Sequence, residues 1–430
     1  MIKGITEAMK GKKLLIAGFG KEGRSSLRFV RENLPQADVT IADHNAMLQT
    51  EITENFPDVS FLGGPKCLDK LDEFDLVLKS PGMKLPDKIA RTVQISSQTD
   101  LFLAAFHRQT IGITGTKGKS TTSHLIYHLL REAGRKAVLV GNMGTPCFDS
   151  IPDLKPDTLI VFELSAHQLQ YVRHSPHVAL LLNVFEEHLD YFGNLTAYRN
   201  AKLNILRYAA TSDYALADIR LKAFVSDTGA WVHFVDPDLP SDDQPLPISL
   251  PGSHNQFNAA MAMYAVEKFG VSREESLHSL AGFEGLPHRL QLVGPYDGVR
   301  YVNDSIATVP EATIAALQAW PQTNYLILGG FDRGINYKQL IEYLIDSPPE
   351  MIFFTGVAGK RIVEGLQERN YSATMHPFEE LEEVFDYLKL HAEAGQVCLL
   401  SPAAASYDKY QNFEQRGEKF LELAKGIMAR

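Results

Sequence analysis

The sequence has few cysteines, no long apolar run and no excess of basic charge, and each absence excludes a class of protein. Only three of its 430 residues are cysteine, at 67, 147 and 398. They are too widely spaced for a disulfide framework or a metal-ligand motif, so a reducing, cytoplasmic setting is expected. The longest apolar runs, such as residues 178–182, fall far short of the roughly 20 residues that span a bilayer, so no membrane insertion is expected. The opening MIKGITEAMKGKK carries no apolar segment of the signal-peptide kind. A formal net charge of −10 excludes the strongly basic face of a nucleic-acid binder. There is no repeat and no low-complexity tract. No guanine-recognition motif N-K-x-D occurs, which weighs against a GTPase even though residues 190–193 fit D-x-x-G. What is there is an ordinary globular composition, 45% apolar and 22% charged, in a chain long enough for two to four domains.

The chain is organised around residues 111–122, IGITGTKGKSTT. An apolar run precedes this stretch, and a helical pattern follows over 124–130. Gly115, Thr116, Lys117 and Gly118 lead into Lys119, Ser120 and Thr121. Small residues let backbone N–H groups close around phosphate oxygens. Lys119 has the reach for the outer phosphates, and Ser120 offers a hydroxyl to Mg²⁺. The strict pattern G-x-x-x-x-G-K-[ST] is missed by one place, since Ile113 stands where its first glycine belongs and Gly112 precedes it.

Upstream, a β-type run over 13–17 feeds Gly18-Phe19-Gly20-Lys21-Glu22-Gly23, then a helical stretch over 25–33 and a β run over 38–42 ending in Asp43. This is a βαβ unit with G-x-G-x-x-G and an acid about 20 residues on. The pattern serves a nicotinamide dinucleotide or a nucleoside-diphosphate sugar equally, and Asp43 is placed to accept a hydrogen bond from a ribose or base. A strand over 76–78 ends in Lys79-Ser80-Pro81-Gly82, another turn where open α/β sheets bind ligands.

Beyond the phosphate loop, β runs over 137–140, 158–162 and 178–182 end in Gly141-Asn142, Glu163-Leu164-Ser165 and Asn183. An acid at a strand end downstream of a phosphate loop is where a carboxylate that holds Mg²⁺ is expected. His188 lies among Glu186, Glu187 and Asp190; it reads equally as a metal ligand or as part of a polar loop. Lys202 falls in a helical stretch over 196–208, and on pattern alone it reads as a solvated helix lysine. Residues 211–250 are poor in pattern, with a Pro/Asp loop over 236–247. Asn255 reads as the cap of the next helix, and Asn258, three residues on, shares its face. The segment Leu286-Pro287-His288-Arg289 reads as a hinge whose arginine reaches a phosphate. A third α/β segment follows, with β runs over 300–302, 325–328, 351–355 and 397–400 and helices between them. Three α/β segments around a triphosphate loop point to an ATP-using enzyme working in an interdomain cleft.

Taken in order, GITGTKGKST, GNMGTP, ELS, HLDYFG, AKLNI, HNQFNA, GLPHR, NDS, GGFDRG and SPAAAS…NFEQRG resemble the Mur ligases of peptidoglycan synthesis over nearly the whole chain. The phosphate loop agrees with that family's form, GxxGxxGKS. The resemblance implies a three-domain α/β architecture. Residues 1–105 would form a Rossmann-like domain for the UDP substrate, 106–285 a central P-loop ATPase-like domain, and 286–430 a C-terminal Rossmann-like domain for the amino acid. It also implies a soluble monomeric enzyme that uses ATP and Mg²⁺ to join glutamate, D-glutamate first, to UDP-N-acetylmuramoyl-L-alanine through an acyl phosphate.

The same resemblance carries the site residue by residue. Lys119, Glu163, His188 and Lys202 are implied as catalytic. Ser120, Glu163, His188 and Lys202, the last as a carbamate, would hold metal, and Asn258, Arg289 and Asp304 would contact the nucleotide. Gly20, Lys21, Glu22, Asp43, Ser80, Gly82, Asn142, Ser165 and Gln168 would contact the UDP substrate. Thr308, Arg333, Ser406 and Phe413 would contact the amino acid. Two motifs depart from the family's form. NDSKAT becomes Asn303-Asp304-Ser305-Ile306-Ala307-Thr308, losing a lysine, and ELSSFQ becomes Glu163-Leu164-Ser165-Ala166-His167-Gln168. The first departure leaves L-glutamate open as the alternative amino acid. A nicotinamide-dependent oxidoreductase and a non-catalytic UDP-sugar binder are the competing readings. The first leaves Lys119 unexplained. The second is opposed by the intact Lys119, Glu163, His188 and Lys202.

Overall fold

A computed structural model describes residues 2–86, 93–141, 145–225, 228–238, 245–248, 250, 252–369, 371 and 373–427. Asn142 lies outside the described residues, as do parts of the loop over 236–247. The chain divides into two compact units, Met1–Phe283 and Glu284–Arg430.

The first unit holds two parallel sheets. One comprises β1 (Leu14–Ala17), β2 (Val39–Asp43), β3 (Ser60–Gly63), β4 (Leu76–Lys79) and β5 (Gln94–Ser96), in the order β3-β2-β1-β4-β5. The other comprises β6 (Thr110–Thr114), β7 (Ala137–Gly141), β8 (Leu159–Glu163), β9 (Val178–Leu181), β10 (Tyr214–Asp218) and β11 (Trp231–Val235), in the order β11-β10-β9-β6-β8-β7. The central strands β1, β4, β6 and β9 are buried throughout. Helices cover both faces of a parallel sheet, so such strands read as unbroken apolar runs. Both sheets reverse their winding beside the strand that precedes a glycine turn, β1 in one and β6 in the other. Crevices at the carboxyl ends of strands open at such points.

The two sheets share one apolar core. Phe102 meets Phe162 edge-on at 5.5 Å, and Phe29 lies 4.5 Å from Phe148. The second unit carries a sheet of β12 (Gln291–Leu292), β13 (Arg300–Asn303), β14 (Tyr325–Gly329), β15 (Met351–Thr355), β16 (Thr374–Pro377) and β17 (Val397–Leu400). Its order is β12-β13-β17-β14-β15-β16, with only β12 antiparallel among the described pairs. Two apolar clusters, one around Leu326 and Leu399 and one around Tyr301 and Phe385, form its core.

The strands the sequence does not announce are mostly at the edges: β3, β5, β11, β12 and β16 are short and largely accessible. Their side chains need not be apolar, so the periodic signal is absent. Asn255 does not cap its helix. The helix Ser253–Glu267 starts earlier, with Gly252 at the cap, and Asn255 is buried inside the first turn.

Candidate functional site

β6 delivers the chain into the phosphate loop, and the helix Lys119–Glu132 leaves it. Gly118, at the helix start, is left-handed with φ 86°. A Cβ there would also lie 2.7 Å from Asn258 Oδ1. Only glycine answers both demands. Gly115 is equally confined, since a Cβ would meet Leu182 Cβ at 2.9 Å. The first N–H groups of any α-helix have no acceptor within it, so this helix end is rich in donors where Lys119, Ser120 and Thr121 stand. Lys119 Nζ donates to the carbonyls of Gly115 and Thr116, both at 3.0 Å, which curls the ammonium over the loop. The amides of Thr116 and Lys117 donate to Asn183 at the end of β9, at 3.0 and 2.8 Å. Those two loop amides are therefore committed to shaping the loop. Lys117 Nζ pairs with Glu187 at 3.0 Å on the surface.

Around this loop the first unit gathers the other residues of the central segment. Glu163 ends β8 beside β6 and is buried, as is Ser120. Lys202, which pattern alone reads as solvated, is 1% exposed, and its Nζ donates to Gly115 O at 2.7 Å. Burial, reinforced by the charge of Lys119, brings its ammonium down to about 7. His188 is half-exposed with a left-handed φ of 55°, and its ring lies 4.9 Å from that of His167. His167 is held down to about 4 by burial and then by the charges of His188, Lys79 and Lys202.

At the end of the first sheet, Gly18 has φ 93°, and a Cβ on Gly23 would stand 2.1 Å from Gly18 O. The turn and the close helix packing both require glycine here. Asp43 accepts from the amides of Phe19 and Asn45, each at 2.8 Å. It thus first serves to shape the turn, which leaves it fewer lone pairs for a ligand than the sequence implies. Ser80 Oγ donates to Gly18 O at 2.7 Å. Gly20, Lys21 and Gly82 are exposed at the same sheet end.

Ser165 and Gln168 form a capping box on the short helix Ala166–Leu169. Gln168 Nε2 also reaches Glu22 Oε1 at 2.7 Å, linking the glycine turn of the first sheet to the strand end that carries Glu163. Burial raises the Glu22 carboxyl to about 7 against the pull of Gln168 and Lys79, and burial lowers Lys79 to about 8. Lys79 Nζ donates to the carbonyls of Pro81 and His167. Lys79, His167 and Asn183 join the site without having been singled out in the sequence. The signal available was the position of Lys79 and Asn183 at strand ends, and of His167 between Ser165 and Gln168.

The second unit brings a separate set together. Asp304, just after β13, accepts from Ser401 Oγ at 2.8 Å and from the Leu290 amide at 3.2 Å. Burial raises it to about 6, opposed by those bonds and by the charge of Arg289. Arg289 itself is exposed. Arg333 Nη2 donates to Thr308 O at 2.7 Å, so those two expected residues adjoin. Ser406 is buried, and Phe413 opens the helix Phe413–Gly426, capped by Asn412. Ser305 Oγ donates to Phe413 O at 2.8 Å, and the buried Arg416 donates to Ser305 and to Ala404 O. Arg416 and Ser401 are further residues the sequence reading did not single out.

Parallel sheets, a tight glycine turn after β1 and a lysine-bearing phosphate loop define an α/β nucleotide-binding protein of the phosphate-loop kind. A family profile described as the Mur ligase middle domain matches residues 113–224, and one described as the Mur ligase, glutamate ligase domain matches 288–404. The UDP-N-acetylmuramoyl-L-alanine–L-glutamate ligase of Xanthomonas euvesicatoria pv. vesicatoria is 33% identical, over 97% of this chain and 96% of that one. The UDP-N-acetylmuramoylalanine–D-glutamate ligase of Clostridium acetobutylicum is 31% identical over 97% of both. Among solved structures, the UDP-N-acetylmuramate–alanine ligase of Thermotoga maritima shares the fold with a TM-score of 0.54 at 18% identity, over 96% of this chain and 99% of that one. A MurF ligase of the same organism in complex with ADP gives 0.53 at 18% identity, over 97% and 95%. The chain belongs to the Mur ligase family, the ATP-dependent ligases of peptidoglycan synthesis.

Proposed function

We propose that this ligase joins glutamate to UDP-N-acetylmuramoyl-L-alanine in the cytoplasm, with D-glutamate as the first reading of the amino acid. The observation that carries it is the Gln168–Glu22 bond at 2.7 Å. It ties a diphosphate-type glycine turn to the strand end beside the phosphate loop, within one compact unit. One long substrate with a UDP end and a carboxylate end suits that spacing.

In this reading the carboxylate oxygen of the muramoyl-alanine attacks the γ-phosphorus of ATP, ADP departs, and an acyl phosphate forms. The amino group of glutamate then attacks the acyl carbon and phosphate leaves. Carboxylate and γ-phosphate repel, so the work of this chain is to neutralise charge and align the reactants. Lys119 and the helix start at Ser120 and Thr121 serve the phosphates, with Gly115, Thr116, Lys117 and Gly118 shaping the loop and Asn258 packed against it. Gly20, Lys21, Glu22, Asp43, Ser80, Gly82, Ser165 and Gln168 serve the UDP substrate. On the second unit, Asp304 and Arg289 serve the nucleotide, and Thr308, Arg333, Ser406 and Phe413 the amino acid.

Mg²⁺ prefers hard oxygen ligands, and the hydroxyl of Ser120 and carboxylate of Glu163 fit it, whereas a lysine amine does not. When bound, the ion would draw charge from the phosphate oxygens. The Lys202 amine, brought down to about 7 by burial, keeps a neutral fraction near physiological pH. Its lone pair can attack CO₂, forming an N–C bond and releasing a proton. The resulting carbamate would make Lys202 an oxygen ligand, with His188 beside it.

Ile306, replacing the family's lysine, favours a second reading in which the amino acid is L-glutamate. The relative from Xanthomonas carries that name. The test is phosphate release with ATP, Mg²⁺, UDP-N-acetylmuramoyl-L-alanine and either enantiomer. Release with D-glutamate supports the first reading, release with L-glutamate alone supports the second, and release with neither defeats both.

A further inference from the structure

We propose that His107, His177 and Asp213 form a binding site for a zinc-class divalent transition metal, at the end of the second sheet opposite the phosphate loop. The three residues come from three neighbouring strand starts. His107 lies in the short turn before β6, His177 directly precedes β9, and Asp213 directly precedes β10. The register pairs Ile111 with Val178 and Val178 with Tyr214, so the residues ahead of them converge at one sheet edge. β6 is five residues long, which puts this edge roughly 17 Å from the loop. The site is therefore separate from the ligase chemistry.

The three ligand atoms are already clustered. His107 Nε2 and His177 Nδ1 each lie 2.9 Å from the same oxygen, Asp213 Oδ1, and all three atoms fall within 4.8 Å of one another. Tetrahedral zinc with ligands at about 2.0–2.1 Å needs ligand–ligand edges of roughly 3.3 Å, so each nitrogen must draw back a few tenths of an ångström from Oδ1 and both rings must turn from that oxygen onto the ion. The support is in place. Asp213 is 2% exposed, and its other oxygen accepts from the Ala210 amide at 2.7 Å, so Oδ1 is held toward the rings. The His177 amide donates to His107 O at 3.2 Å. The His177 ring packs edge-on against Tyr214 at 5.6 Å and Phe269 at 6.1 Å.

The histidine side chains keep 32% and 23% of their surface open, which leaves a route for the ion and room for a water as fourth ligand. Without metal both rings donate N–H to Oδ1. With metal each ring presents a lone pair from the nitrogen that now faces Oδ1, and the proton it carried there moves to the other ring nitrogen or to solvent. Two imidazoles and one carboxylate suit Zn²⁺, Co²⁺ or Ni²⁺ far better than Mg²⁺. The bound ion would pin three strand starts together.

The test uses the full chain stripped with a chelator. Calorimetry with ZnCl₂ should give one equivalent with a Kd on the order of 10 µM or tighter, with a higher Tm at saturation. Co²⁺ should give the strong visible absorption of a four-coordinate nitrogen site. His107→Gln and His177→Gln should each weaken binding at least tenfold. Glu163→Gln, in the phosphate-loop site, should leave the Co²⁺ band unchanged. Circular dichroism confirms that each variant is folded, and His107→Gln should keep the basal ligase turnover. Absence of binding at about 100 µM metal, undiminished binding in both histidine variants, or loss of the band in Glu163→Gln would each overturn the proposal.

Discussion

Lys119 and Lys202 show how one residue type takes two roles in one loop. Both donate to Gly115 O, yet Lys119 begins a helix at the loop while Lys202 is buried behind it. Lys119→Ala should lower kcat by about 10³-fold or more. UDP-substrate affinity should stay nearly unchanged, because in the proposed reading that substrate's diphosphate sits at the glycine turn after β1. Phosphate release and calorimetry measure the two quantities. If UDP-substrate binding fell with turnover, the division of labour between the two glycine turns would be wrong. For Lys202, depleting CO₂ should lower activity and bicarbonate should restore it. Labelled bicarbonate should give a carbamate carbon signal that is missing in Lys202→Ala. The burial of this lysine was not legible in the sequence. A lysine at a helical position is normally solvated, and only the tertiary packing, which sets the Tyr198 ring 4.7 Å from the ammonium and Gly115 O at 2.7 Å, removes water from it.

At the scale of elements, the turns carry the constraint. Gly118→Ala would force a left-handed φ of 86° on a residue whose Cβ meets Asn258 Oδ1 at 2.7 Å. A stability loss of about 1–3 kcal/mol in urea denaturation is expected, together with weakened ATP binding. The contact of the glycine turn with the helix Ala166–Leu169 gives a pH signature. Glu22 titrates at about 7 when folded against an ordinary 4.5. Between those values the unfolded chain has lost the proton that the folded chain keeps, so stability falls as pH rises through this window. Glu22→Gln should flatten that decline by roughly 1–3 kcal/mol between pH 5 and 7.5, as measured by denaturation midpoints at both pH values. A steeper decline in the variant would contradict the burial argument. Most central strands were legible because burial on both faces demands apolar runs, although β10 fell in the stretch over 211–250 that reads as poor in pattern. The edge strands β3, β11 and β16 were not, because their side chains are largely accessible and need not be apolar.

For the molecule as a whole, the two compact units have unequal internal seams. Residues 284–430 have their own sheet and cores, and expressed alone they should unfold cooperatively in a thermal melt monitored by circular dichroism. A fragment of residues 1–105 should not. Its Phe102 and Phe29 pack on Phe162 and Phe148, so the cut would expose core surface and lead to aggregation. Cooperative folding of 1–105 would show that the first sheet is independent after all.

By itself the sequence determined the α/β alternation, the glycine turns and the phosphate loop. These depend on local φ values and on which side chains reach a phosphate, and both are written in short spacings. Tertiary structure alone decided that Lys202 is buried beside Lys119, that Asp43 is engaged by its own turn and that Glu22 meets Gln168. It alone also brings His107, His177 and Asp213 to one edge. Those facts depend on desolvation and on contacts across long stretches of chain, which no local pattern records.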